Sequence, residues 1–303
     1  MMRRVVVVGD ALIDELRDGS NVREFVGGAA LNVAVGLARL GVPATLLAMV
    51  GDDDAGGRIR AYLADHGVDL IATPSTRGSA RAVSIRNAGG EPTYEFNDAA
   101  WERRIRFEGV ARAAISDAAL VAVSCFRFDD AEQTAELADA TAESTLAIDP
   151  NPRLGMLHDR DDFRVGFEAL AARAALVKVG EDDAELLYGE PLDTLRPRLV
   201  DLGATAVLST YGAGGAAIDV GGVSVTSGIS DLPGRIVDTM GAGDAAFAST
   251  LASLATQPPH DRDGWATVLT RAMDAAAATC RFEGALLRLP SALSDADLGR
   301  IDT

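Results

Sequence analysis

The apolar pattern alternates between short continuous runs and longer stretches with helical spacing. Residues 4–9 (RVVVVG), 44–50 (ATLLAMV), 119–124 (ALVAVS), 145–149 (TLAID), 175–179 (ALVKV) and 204–210 (ATAVLST) read as buried strands. Between them, 31–40, 54–66, 130–143, 163–173 and 181–188 carry helical periodicity, with Gly67 placed to cap the second. Continuously apolar strands alternating with helices predict an α/β fold, its mostly parallel sheet covered on both faces.

One region departs from this rhythm. Residues 81–87 (RAVSIRN) and 93–97 (TYEFN) alternate at period two around the turn AGGEP, which predicts a hairpin outside the central sheet. It is either an ordinary surface hairpin or a flap over a cleft. The segment TQPPHDRDG at 256–264 reads as a loop between helices, and the absence of repeats or a long linker predicts one domain over 1–303.

Composition narrows the function. The chain has 303 residues, 48% hydrophobic and 24% charged, enough for a large core. Forty-five acidic against 28 basic residues give a net charge of -17, which disfavours nucleic acid and anionic membranes as partners. The start MMRRVVVVGD holds only four valines before Gly9, too short for a signal-peptide core, and the apolar runs stay below the ~18 residues a membrane span needs. A cytoplasmic protein is expected, with Cys125 and Cys280 as buried thiols. Lys178 is the only lysine, explained equally by a function or by a general preference for arginine.

The most informative stretch is DTMGAGDAAFASTLASL, Asp238–Leu254. Gly241, Ala242 and Gly243 leave their backbone N–H groups open to a ligand. The helix that follows, starting near Gly243 or Asp244, points its positive end to the same place, an anion hole suited to a phosphoryl group. A carboxylate at Asp244 would repel a static phosphate, so its task is to take a proton from an attacking hydroxyl, or simply to cap the helix.

DTMGAGDAAFAS resembles the C-terminal signature D-[ST]-x-G-A-G-D of the ribokinase-like, pfkB-type carbohydrate kinases, and GDALIDE, GGAALNVAVGLARLG and GDDDAG agree along the N-terminal part. The resemblance implies a ribokinase-like three-layer α/β/α core with a small β-lid to which 81–97 belongs. It implies transfer of the ATP γ-phosphate to a hydroxyl, with Asp244 as base and Gly241, Ala242 and Gly243 as the anion hole. Asp14 matches the family's sugar-binding aspartate, after the first strand, with Asp10 a weaker candidate, and Gly28 and Asn32 match substrate contacts. Arg86 or Tyr94 of the lid is a further candidate to reach the sugar.

The run IDPNPR puts Arg153 where it would hold an ATP phosphate or an acidic group of the substrate, unless it forms a surface salt bridge. The family's N-x-x-E motif, which arranges Mg²⁺, appears here as Gly180, Glu181, Asp182, Asp183; Asp183 keeps the acidic ligand. STYGAGGAAI resembles the T-x-G-x-x-G segment and implies Thr210, Gly212 and Gly215 beside ATP, with Gly243 also on the nucleotide. Met273 stands where many relatives have Asn. A monovalent cation such as K⁺ is implied near Asp238, and a homodimer through the lid is a further implication.

The leading expectation is an ATP-dependent kinase of a primary hydroxyl on a sugar, a fructose-like ketose first. A 2-keto-3-deoxy sugar acid kinase, a nucleoside kinase and a non-catalytic nucleotide or sugar sensor are alternatives. A nicotinamide-dependent oxidoreductase fits the alternation, but GDALID lacks a G-x-G-x-x-G.

Overall fold

The computed structural model describes residues 4–18, 21–86 and 92–295. Among the described residues thirteen strands form two sheets: β1 (Val5–Gly9), β2 (Leu12–Asp18), β3 (Asn21–Gly27), β4 (Ala44–Gly51), β5 (Asp69–Ser75), β6 (Ala80–Arg86), β7 (Pro92–Phe96), β8 (Leu120–Ser124), β9 (Leu146–Asp149), β10 (Leu176–Gly180), β11 (Ala206–Thr210), β12 (Ala216–Val220) and β13 (Val223–Ser227). The larger sheet has the order β13-β12-β11-β10-β9-β8-β1-β4-β5, and all its pairings are parallel except those of β12 with β11 and β13.

Period-two alternation sends each central strand's side chains to opposite faces. Val5 and Val7 enter one core with the helices Ala29–Arg39, Ala242–Thr256 and Arg262–Thr279; Val6 and Val8 enter the other with Phe128, Phe163 and Phe167. With helices on both faces, the architecture is the expected α/β/α sandwich of the ribokinase-like fold.

The second sheet, β3-β2-β6-β7, is the small lid. Its β6–β7 half is the predicted hairpin. Its other half, β2–β3, was not expected, because LIDELRD and NVREFVG carry charges on what would otherwise be clean apolar alternation. β2 pairs in parallel with β6 and antiparallel with β3. The tip of the predicted hairpin, residues 87–91, lies outside the described residues, as do the side chains of Arg86 and Tyr94.

The chain order places β4 and β8 on opposite sides of β1, a topological switch point. Ligands of open α/β sheets bind in the crevice outside the strand carboxyl ends at such a point. Gly9, Ser124 and Asp149 stand in one register row there, and Gly180 pairs with Thr210 two strands further on. No described helix is long and apolar enough to cross a membrane.

Candidate active site

The helix carrying Asp244 begins at Ala242, a residue or two before the expected start, with Gly241 as its N-cap at φ 75°. A Cβ on Gly241 would lie 2.6 Å from the Cα of Ala285, so only glycine fits this entry into the helix. The Ala242 N–H is spent on the Thr239 carbonyl at 3.3 Å. The positive end of the helix therefore acts mainly through the N–H groups that follow Ala242.

Asp244 projects from the first turn of this helix and accepts a hydrogen bond from Asn32 Nδ2 at 2.8 Å. Asn32 itself sits in the first turn of the helix Ala29–Arg39, whose N-cap, Gly28, has φ 110°. A Cβ on Gly28 would press on the Asp10 carbonyl oxygen at 2.9 Å. Burial raises the Asp244 carboxyl above the usual carboxylate range, against the Asn32 hydrogen bond and the charges of Lys178 and Arg153.

Asp10 follows β1 directly, and its Oδ1 accepts from the Ala30 N–H at 2.9 Å. Asp14, expected after the first strand, stands within β2, on the lid. The chain leaves β1 at Gly9 and enters the lid at Leu12, so Asp14 is delivered from above the sheet edge. Burial first, and then the charges of Asp10 and Asp244, push its carboxyl up to about 7, with Arg153 pulling the other way.

In-register cross-strand partners share a face of their sheet. Phe25, Asp14, Ala82 and Phe96 form one such row across β3, β2, β6 and β7. The Phe96 ring packs over Gly155, two residues from Arg153.

Arg153 forms no surface salt bridge: among the described residues no carboxylate lies within ion-pair distance of it. It is exposed to the open cleft, yet surrounded closely enough that burial opposes its charge. Neighbouring acids, Asp244, Asp183 and Asp10 among them, outweigh that effect and hold its pKa above the ordinary value.

On the nucleotide side, Asp183 Oδ2 accepts from the Gly180 N–H at 2.7 Å and so caps its own helix. One carboxylate oxygen remains for a metal. No group of three or more His, Cys, Asp or Glu side chains among the described residues forms a cage. A single hard oxygen ligand fits Mg²⁺ that arrives with a triphosphate and keeps most of its waters.

Thr210 ends β11 beside Gly180, and its Oγ1 donates to the Val179 carbonyl at 3.5 Å. Gly212 and Gly215 follow at φ 51° and 90° in a tight turn, and a Cβ on Gly215 would collide with the Ser227 carbonyl. Asp238 accepts from Met240 N–H and Gly284 N–H, both at 3.0 Å, tying the approach to the glycine-rich helix start onto the last loop. Met273 is buried in the core.

Two residues gain weight that sequence alone did not give them. Lys178 is buried beneath Gly243, its Nζ 3.1 Å from Asp149 Oδ1 and 4.0 Å from Asp183 Oδ2. Asp149 is fully buried at the end of β9. A lone lysine ending an apolar strand, beside another strand that ends in aspartate, was the available signal.

A glycine-lined helix N-terminus at the carboxyl edge of a parallel sheet, roofed by a second small sheet, defines the ribokinase-like fold. The model of the pfkB family carbohydrate kinases matches residues 2–292, and the chain belongs to that family. It is 29% identical over 270 residues to a fructokinase of Rhizobium leguminosarum bv. trifolii, covering 82% of this chain and 79% of the relative. It is 28% identical over 308 residues to an aminoimidazole riboside kinase of Salmonella typhimurium, covering 95% and 92%. The crystal structure of a fructokinase with bound ATP from Xylella fastidiosa shares the fold at a TM-score of 0.82 and 22% identity, covering 97% of this chain and 98% of that one. Family membership supports ATP-dependent kinase activity on sugars in general.

Proposed function

We propose that this protein transfers the γ-phosphoryl group of ATP to a primary hydroxyl of a free sugar, a fructose-like ketose first. The observation that carries the reading is Asp244 itself: a carboxylate with a raised pKa in the first turn of the helix that offers the anion hole. Asp244 takes the hydroxyl proton as the sugar oxygen attacks the γ-phosphorus. The bond from phosphorus to the β–γ bridging oxygen breaks in line, and ADP departs with that electron pair. The N–H groups of Gly241 and Gly243, in the turn that Ala242 completes, and the helix dipole stabilise the charge that spreads over the phosphoryl oxygens. Asp14, Gly28 and Asn32 bind and orient the sugar hydroxyls. Thr210, Gly212 and Gly215 hold the nucleotide, and Asp183 would hold the water shell of Mg²⁺, which neutralises triphosphate charge when bound. A K⁺ beside Asp238 and a homodimer through the lid belong to the same reading.

Two observations favour neighbouring substrates. Arg153, with no ion-pair partner among the described residues, suits the carboxylate of a 2-keto-3-deoxy sugar acid. Phe25 and Phe96, on the same lid face as Asp14, suit the flat base of a nucleoside. The deciding experiment is a competition at fixed Mg-ATP among fructose, ribose, 2-keto-3-deoxygluconate and adenosine, scored by kcat/KM. Fructose is expected to lead. A nucleoside or the sugar acid leading by more than about tenfold would replace the ketose while keeping phosphoryl transfer; no turnover of any acceptor would leave a nucleotide or sugar sensor.

A further inference from the structure

We infer that Lys178 is the cationic contact for the transferred phosphoryl group, and that Asp149 is the positioning residue that holds it in place. This rests on the kinase reading above.

Lys178 is the only lysine of the chain, and it is buried. Its Nζ lies directly beneath the anion hole: a Cβ on Gly243 would be 3.3 Å from it. An ammonium carries three N–H donors. One is met by Asp149 Oδ1 at 3.1 Å, while Asp183 Oδ2, at 4.0 Å, is beyond hydrogen-bonding distance. Lys178 thus has donor capacity to spare on the side of the glycine-rich helix start.

Asp149 is incomplete in the same way. It is fully buried, yet its Oδ2 has no hydrogen-bond partner among the described residues. A buried ion pair kept only for stability is a poor arrangement, since desolvating both charges costs about as much as their attraction returns, and apolar residues would serve as well. A half-satisfied pair is costlier still. The arrangement makes sense if a further anion completes it. Strand register explains the aim. Val177 pairs with Ile148, so Lys178 follows beside Asp149, and the two side chains leave adjacent strands at the sheet edge where phosphate would arrive.

Charge points the same way. Asp149, Asp183 and Asp244 all face Lys178 and sustain its positive charge despite burial. Without Lys178, a triphosphate would meet this acidic wall with Arg153 to offset it. An ammonium is the right group here, a compact point charge that can turn from carboxylate to phosphate oxygen as the ligand enters.

The test is calorimetric titration of Mg-ATP and of AMP into wild type, Lys178→Met, Asp149→Asn and the double variant, with melting curves to verify folding. Lys178→Met strands a buried carboxylate, so the double variant, which removes both charges, serves as the variant expected to fold. Loss of a charge-assisted hydrogen bond is expected to weaken Mg-ATP at least about tenfold in Lys178→Met and in the double variant. AMP affinity should stay unchanged. Asp149→Asn, which keeps the shape and loosens the aim, should lower kcat several-fold at unchanged sugar KM. Wild-type Mg-ATP affinity in the folded double variant, or equal losses for AMP and Mg-ATP, would overturn the inference. If wild type binds no Mg-ATP, the kinase reading itself fails and takes this inference with it.

Discussion

Asn32 Nδ2 donates to Asp244 Oδ2 across 2.8 Å, joining the first turns of two helices that lie 212 positions apart in the chain. The bond fixes the direction of the carboxylate while leaving its other oxygen open toward the cleft. It also couples the acceptor side, where Asn32 borders Gly28, to the helix start that would receive phosphate.

Replacing Asp244 with Asn keeps the size of the side chain and removes the base. We expect Asp244→Asn to bind Mg-ATP and sugar within a few-fold of wild type while kcat falls at least about 100-fold. Steady-state kinetics with separate binding titrations check this; a kcat within threefold of wild type would remove Asp244 from the chemistry.

Asp14 gives a pH dependence with a defined sign. Its carboxyl titrates at 3.8 as an isolated group and at about 7 in the folded protein, chiefly through burial. Between these values the folded state holds the extra proton, so the stability difference between wild type and Asp14→Asn should move against wild type as pH rises through the window and level off above it. If Asp14 accepts sugar hydroxyls as a carboxylate, kcat/KM for the sugar should rise over the same range toward about 7. Melting curves of the two proteins that run parallel from about pH 4 to 8 would contradict the assignment.

Gly241 is constrained twice, by its left-handed φ and by the Ala285 backbone against its missing side chain. Gly241→Ala should lose roughly 1–3 kcal/mol of stability from backbone strain alone and shift the start of the helix. A lower melting temperature together with raised Mg-ATP KM is the expected signature. Unchanged values for both would mean the loop absorbs the side chain freely.

The central sheet was legible because its strands are buried on both faces and need no partner to declare themselves: VVVV, LVAV and LAI are apolar whichever face is counted. The lid was half legible. RAVSIRN alternates cleanly, whereas LIDELRD and NVREFVG carry acids and arginines on both phases, since one face of that sheet meets the cleft and the other meets solvent. The β12–β13 hairpin was hidden behind the glycines that precede it, which read as a nucleotide loop. At the site, GAGD announced itself through its small residues and its acid. Asp14 was placed by resemblance, without the lid strand that carries it, and the pairing of Lys178 with Asp149 depends on two residues 29 positions apart standing on adjacent strands.

Asp10 and Ala11 alone separate β1 of the main sheet from β2 of the lid, and Gly28 after β3, residues 76–79 before β6 and Asn97 after β7 join the small sheet to the rest of the fold. Asp10 is anchored to the Ala30 amide at the sheet edge, and Asp14 stands four residues on, within β2. The seating of the small sheet therefore sets how closely Asp14 approaches Asp10 and Asp244, whose charges act on it. Three buried carboxyls this close resist sharing negative charge, and hydroxyl donors placed among them would relieve it. A polyol seated there, as proposed, would act as solvent for charges that the fold has taken out of water.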